Sequence, residues 1–200
     1  MTRPSTLPIA PAIRALIARD GRLPFPITGH RILEPTGDTE RDLAAVAQVA
    51  ALRDLVAASE DARWFRIAGV KFIMDGVIDA CTATMRAPYA DGSNCDPIWS
   101  AESIRPVAEA ADAAGLQIAM HAIGDRTSEL ALDTIEHCIR AGELRPRRHR
   151  LEHLESVTDS TIERMAELGV SRLHVSISHD AGVAVPLTAS EGRGPLGAHW

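Results

Sequence analysis

Three side chains in this chain could do chemistry together: Lys71, His121 and His153. Each lies in a short apolar run that reads as a buried strand. The runs are Val70-Lys71-Phe72-Ile73-Met74-Asp75-Gly76, Gln117-Ile118-Ala119-Met120-His121-Ala122-Ile123-Gly124-Asp125 and His149-Arg150-Leu151-Glu152-His153-Leu154. A neutral imidazole is a good zinc ligand. Neighbouring strands lie about 4.8 Å apart, and a zinc–nitrogen bond is about 2.1 Å. One ion can therefore span two histidines at adjacent strand ends. Against this stands the plainer reading of hydrogen-bonded core histidines. Lys71 also has two readings. An amine within an apolar strand costs desolvation energy unless its charge is paired or removed. It can pair with Asp75 or reach the rim. Alternatively, burial lowers its pKa, and the neutral amine takes up carbon dioxide to become a carbamate able to bridge two metal ions.

The elements that must position these residues alternate in type. Residues 25–33 read as a strand with Pro26 near its start, where a missing N–H is tolerated. A helix capped by Asp38 or Thr39 follows and ends near Ser59, with Leu43, Val46, Ala47, Ala50 and Leu55 at helical spacing. Residues 66–75 are a strand, and residues 76–99 a long irregular segment of the kind that is usually functional. A helix over 103–114 has Ser103 as cap, which puts Pro106 in the first turn, and Gly115 as stop. The 117–121 strand leads to a helix capped by Thr127 or Ser128 and ended by Gly142. Residues 149–153 are a strand, and Thr158 starts a helix that Gly169 closes. Near the N-terminus, Ile13, Leu16 and Ile17 suit a short helix stopped at Asp20-Gly21. Units of about 30 residues alternating β and α predict a parallel sheet flanked by helices. Ligands of such sheets bind at the carboxyl ends of the strands, where the histidines fall.

Bulk properties narrow the function classes. The 200 residues suit one domain, and 46% hydrophobic content is ordinary for a packed core. A net charge of −6 disfavours nucleic acid and anionic membrane surfaces. No apolar run approaches the roughly 20 residues of a membrane helix, and no signal-peptide pattern opens the chain. Cys81, Cys95 and Cys138 show no CxxC pairing and read as free thiols in a reducing cytoplasm. His30, His137, His149, His174, His179 and His199 read as surface or loop residues, and the basic run from Arg145 to Arg150 as a solvated strand entry.

Several stretches together resemble amidohydrolase family 3, the YtcJ-like metal-dependent hydrolases. They are Lys71-Phe72-Ile73-Met74-Asp75-Gly76, Thr82-Ala83, Pro88-Tyr89-Ala90-Asp91, Ala111-Asp112-Ala113-Ala114-Gly115-Leu116-Gln117, His121-Ala122-Ile123-Gly124-Asp125-Arg126 and His149-Arg150-Leu151-Glu152-His153. They run in order from about residue 60 to 170. The resemblance implies an α/β fold, a partial TIM (β/α)8 barrel with parallel strands alternating with helices. It implies that Lys71 is the bridging carboxylated lysine and that His121 and His153 are metal ligands. The implied cofactor is divalent metal, zinc by preference, as one or two ions. The implied activity is hydrolysis of amide-type C–N bonds in a small-molecule substrate, by a water that the metal activates. Asp125 would cap the next helix and Asp75-Gly76 shape the turn after the lysine strand. Cys81 stands where many relatives carry Arg.

The pattern is also incomplete. No His-x-His pair occurs, where the family's first strand supplies one. The aspartate of the last strand finds no counterpart, and a full barrel takes about 250 residues. We expect residues 1–170 to form a partial barrel domain, and residues 171–200 an atypical tail that reads as frameshifted, in which Leu173, Val175 and Ile177 alternate as in a strand. The expected product is a weakly active or inactive hydrolase. Exposed barrel edges favour self-association. The competing expectation is a non-catalytic α/β binding or association module without its metals.

Overall fold

The computed structural model describes residues 9–23, 25–143 and 145–173. Among them, strands β1 (Ile27–Leu33), β2 (Phe65–Ile73), β3 (Gln117–Ala122), β4 (Arg150–His153) and β5 (Ser171–Leu173) form one sheet in sequence order, every neighbouring pair parallel. Helices α1 (Ile9–Asp20), α2 (Thr39–Ala57), α3 (Ala101–Ala113), α4 (Asp125–Ala141) and α5 (Asp159–Leu168) alternate with the strands. This is an α/β fold, an open arc of the (β/α) barrel type in which each crossover returns over the same face. The tail residues 171–173 are the strand β5, paired to β4. The remaining tail residues, including His174, His179 and His199, lie outside the described residues.

Period-two alternation divides the sheet into two faces. Val70, Phe72 and Met74 of the β2 run, Ile118, Met120 and Ala122 of β3, and Leu151 of β4 are fully buried and pack under the helices. Ile104, Val107, Ala108 and Ala111 of α3 and Ala131, Leu132 and Ile135 of α4 meet them there. Trp99 closes this layer edge-on to Phe72, with ring centroids 5.4 Å apart. The opposite face carries Lys71 and Ile73, Gln117 and His121, and Arg150 and Glu152. In a closed barrel that face is the interior.

The helix ends follow local chemistry, with two corrections. Asp38 caps α2, accepting from the amides of Glu40 and Arg41. Thr158 caps α5, and Gly169 ends it in the left-handed conformation at φ 63°. Helix α3, however, is capped by Ser100, whose hydroxyl accepts the Ser103 amide at 3.2 Å, so it starts at Ala101 and Pro106 lies in its second turn. Ser103 competes poorly as a cap because its own hydroxyl is turned back onto the Ser100 carbonyl. Helix α4 starts at Asp125 behind Gly124, ahead of Thr127 and Ser128. Both hydroxyls are spent inside: Ser128 donates to the Gly124 carbonyl and Thr127 to that of Thr84.

Candidate metal centre at the strand ends

Three inner-face residues sit side by side in the register. Ile73 of β2 pairs with His121 of β3, and His121 pairs with Glu152 of β4. Lys71 is two residues before Ile73 and so shares its face. His153 ought to point the other way, because its partner Ala122 is buried under the helices. It does not, because the backbone is left-handed at His153 (φ 77°) and again at Leu154 (φ 54°). The turn breaks the alternation and seats Leu154 in the core at 3% exposure. It also brings the His153 ring to 4.6 Å from that of His121, between centroids and inclined at 61°.

His121 is oriented by the Lys71 strand. Its Nε2 lies 3.2 Å from the Gly76 carbonyl oxygen, which can only accept, so Nε2 is the donor and Nδ1 is the nitrogen left for a metal. The Asp75 carboxylate stands behind the same nitrogen at 3.6 Å. A ligating histidine commonly donates its other ring N–H to a carbonyl or carboxylate in this way. Asp75 itself is a keystone. It is fully enclosed and accepts the amides of Ile123 (3.0 Å), Gly124 (2.9 Å) and Thr84 (3.0 Å). One carboxylate thus ties the end of β2 to the β3–α4 turn and to the 76–99 segment. Asp125 has a related role: it accepts the Arg86 amide at 2.8 Å, holding that segment to α4 and serving as no cap for Thr127.

Lys71 is paired, and its partner is Glu152, not Asp75. Asp75 is committed to backbone amides, whereas Glu152 projects from β4 on the same face as the lysine. Burial pushes the Lys71 amine below its ordinary value, against the upward pull of Glu152. For Glu152 burial works to raise the pKa, but Lys71 and Arg150 outweigh it and hold the carboxyl below the usual range. Arg150 binds the second Glu152 oxygen at 2.8 Å and reaches Gln117 at 3.4 Å, and Gln117 in turn meets His30 at 3.0 Å. His30 is thus part of an inner-face polar chain and not a loop residue.

His149 also departs from expectation. It is 2% exposed, with Nδ1 accepting the Ile118 amide at 3.1 Å and Nε2 donating to Asp112 at 2.9 Å. Asp112, at the end of α3, is clamped by Arg145 and Arg147 as well. Within the run from Arg145 to Arg150, then, Arg145, Arg147 and His149 converge on the buried Asp112 and lock α3 to the start of β4, while Arg148 stays exposed. The signal for this lock was in the sequence: His149 has the same parity as buried Leu151, and Asp112 continues the stripe of Ile104, Ala108 and Ala111. His137 is exposed on α4, as expected.

The donor set can be compared with a metal's needs. His121 and His153 fit two positions on one ion, and Lys71 could join only after losing its ammonium charge. No group of three His, Cys, Asp or Glu ligands is present among the described residues, whereas a catalytic zinc takes three protein ligands.

Comparison with known proteins agrees with this architecture. Residues 10–191 match the model of an amidohydrolase family. The chain belongs to that family. It is 32% identical over 109 residues to Protein LONG AFTER FAR-RED 3 of Arabidopsis thaliana, covering 54% of this chain and 19% of that protein. It is 30% identical over 105 residues to YtcJ of Bacillus subtilis (strain 168), described as a candidate amidohydrolase, covering 51% and 19%. An uncharacterised metal-dependent hydrolase from Pyrococcus furiosus superposes with a TM-score of 0.59 at 30% identity, over 80% of this chain and 31% of that one. The matched part is about a fifth of the length of these curated relatives. No described helix is long and apolar enough to cross a membrane.

Proposed function

We propose that this chain is a metal-dependent hydrolase segment for amide-type C–N bonds in small molecules, in which His121 and His153 hold one divalent cation, zinc by preference. The observation that carries this reading is the close edge-to-face imidazole pair, made possible by a left-handed histidine that a merely structural strand end would not need. A cation there would polarise a substrate carbonyl and acidify water. The chain's own residues orient it: Gly76 and Asp75 fix the His121 tautomer, and Glu152 holds the Lys71 amine on the same face. Lys71 is the residue we assign to carboxylation, its carbamate serving as a further ligand beside the two imidazoles. With two imidazoles in place of three ligands among the described residues, the chain is weakly active or inactive and takes up at most one weakly held ion. We place it in the cytoplasm, with its sheet edges available for self-association, and we extend the barrel unit expected over residues 1–170 through the strand β5 that follows.

Zinc titration of the purified chain, followed by calorimetry and metal analysis, tests the assignment. The expected result is one weak site that His121→Asn and His153→Asn each abolish. Two tightly held ions per chain, or binding unchanged in both variants, overturns it. The second reading, a non-catalytic α/β module, is favoured by one observation: Lys71 is already satisfied as an ammonium by Glu152. It predicts no zinc binding and no signal from a lysine carbamate under 13C-labelled bicarbonate.

A further inference from the structure

The long segment between β2 and α3 carries two thiols that the metal centre does not use. Cys81 and Cys95 are far apart in sequence but meet at the base of a lobe. The lobe closes on itself: the Tyr89 amide donates to the Ser93 carbonyl at 2.8 Å, and the Asn94 side chain clasps both backbone groups of Met85, at 3.1 and 2.7 Å. The next residue, Cys95, points its sulfur at the Cys81 carbonyl oxygen, 3.4 Å away. A carbonyl oxygen lies about 2.4 Å from its own Cα by standard backbone dimensions. The Cys95 sulfur therefore lies within about 6 Å of the Cys81 Cα, so the two cysteines are neighbours in space across the base of the lobe. Both thiols are partly exposed. The third, Cys138, is buried in the core, with its thiol pushed up to about 12 by burial, and takes no part.

We infer that Cys81 and Cys95 form a reversible disulfide that staples the lobe of residues 82–94 over the strand ends. In the oxidation, one thiolate attacks glutathione disulfide and releases one glutathione. The second thiolate then displaces the other glutathione from the mixed disulfide. Two protons leave the protein and end on the two glutathione thiols, and the two electrons reduce the glutathione disulfide. The staple encloses Thr82 and Thr84, which touch the metal-centre support directly: the Gly76 amide donates to the Thr82 carbonyl at 3.0 Å, and Thr84 donates its amide to Asp75. Oxidation thus adds a covalent tie to the segment that lies against Asp75, and reduction removes that tie while the hydrogen bonds remain.

The test treats the full 200-residue chain with glutathione disulfide. Free thiols are expected to fall from three to one per chain. The intact mass is expected to drop by about 2 Da, the two hydrogens lost in forming one bridge. Trypsin cuts after Arg86, between the two cysteines, so their peptides should travel as one species until reduced. Cys81→Ser and Cys95→Ser should each gain one glutathione adduct instead of losing mass. Three outcomes would overturn the inference: an unchanged thiol titre in the wild-type chain, stable glutathione adducts on both Cys81 and Cys95, or a bridge that includes Cys138. The wild-type measurements stand even if a serine variant fails to fold.

Discussion

The His153 ring stands edge-on beside that of His121 because His153 adopts a φ of 77°, a conformation that glycine and asparagine accept and most residues do not. A side chain in that region stores strain of about 1–3 kcal/mol. His153→Asn is expected to keep thermal stability within a few degrees, because asparagine tolerates the backbone. His153→Val should lower stability by about 1–3 kcal/mol, since a branched side chain resists it. Equal losses in urea unfolding for the two variants would show that the left-handed turn is not what holds this residue.

Asp75 supports the same site from below. Its two oxygens accept three buried amides and face His121. Each buried donor left unpaired costs about 1–3 kcal/mol. Asp75→Ala is therefore expected to cost about 3 kcal/mol or more in chemical unfolding. Amide exchange should accelerate first at Thr84, Ile123 and Gly124. Exchange that rises uniformly over the chain instead would place the loss elsewhere.

How much of this was legible beforehand depends on the range of the physics involved. The β-α alternation, the caps Asp38 and Thr158 and the stop at Gly169 are local and can be read from spacing. So is the placement of Lys71, His121 and His153 at strand positions. The partner of Lys71 was not legible, because Glu152 reaches it only through the β2–β3–β4 register. The left-handed turn at His153 is equally silent: nothing in His-Leu-Glu signals a positive φ. His149 was misread as solvated because its arginine neighbours dominate the composition, while Asp112, which draws them in, lies on another element.

The Lys71–Glu152 pair makes a prediction of opposite signs. The two side chains are 13% and 11% exposed. Removing one member of a buried pair leaves an uncompensated charge and costs about 3–5 kcal/mol, while replacing both by apolar groups is often neutral. Glu152→Leu should therefore be strongly destabilising, and Lys71→Met combined with Glu152→Leu should recover most of the loss. Additive effects in the double variant would mean that the pair is not coupled. Glu152→Gln should act like the single loss, because one amide oxygen cannot accept from both Lys71 and Arg150 and the lysine charge is left uncompensated.

The His149–Asp112 lock sets a pH dependence. Burial holds His149 below its ordinary value, against the pull of Asp112. The Asp112 carboxyl is pushed up by its own burial, but Arg147 and His149 hold it below the usual range on balance. In the fold His149 is neutral, since Nδ1 must keep a lone pair for the Ile118 amide. The unfolded histidine titrates near 6.5, so between that value and the lower folded one the unfolded chain binds more protons. The contribution of His149 is complete above about pH 6.5 and is lost as pH falls through its folded pKa. Asp112, also depressed, adds a second loss further into acid. The urea midpoint should therefore decline below about pH 6.5 and again below about pH 4. In His149→Gln, whose side-chain oxygen can still accept the Ile118 amide, the upper decline should vanish and the lower one remain. An upper decline that persists in this variant would assign it to another group. His30 is the first to check, because burial and Arg150 lower its pKa too.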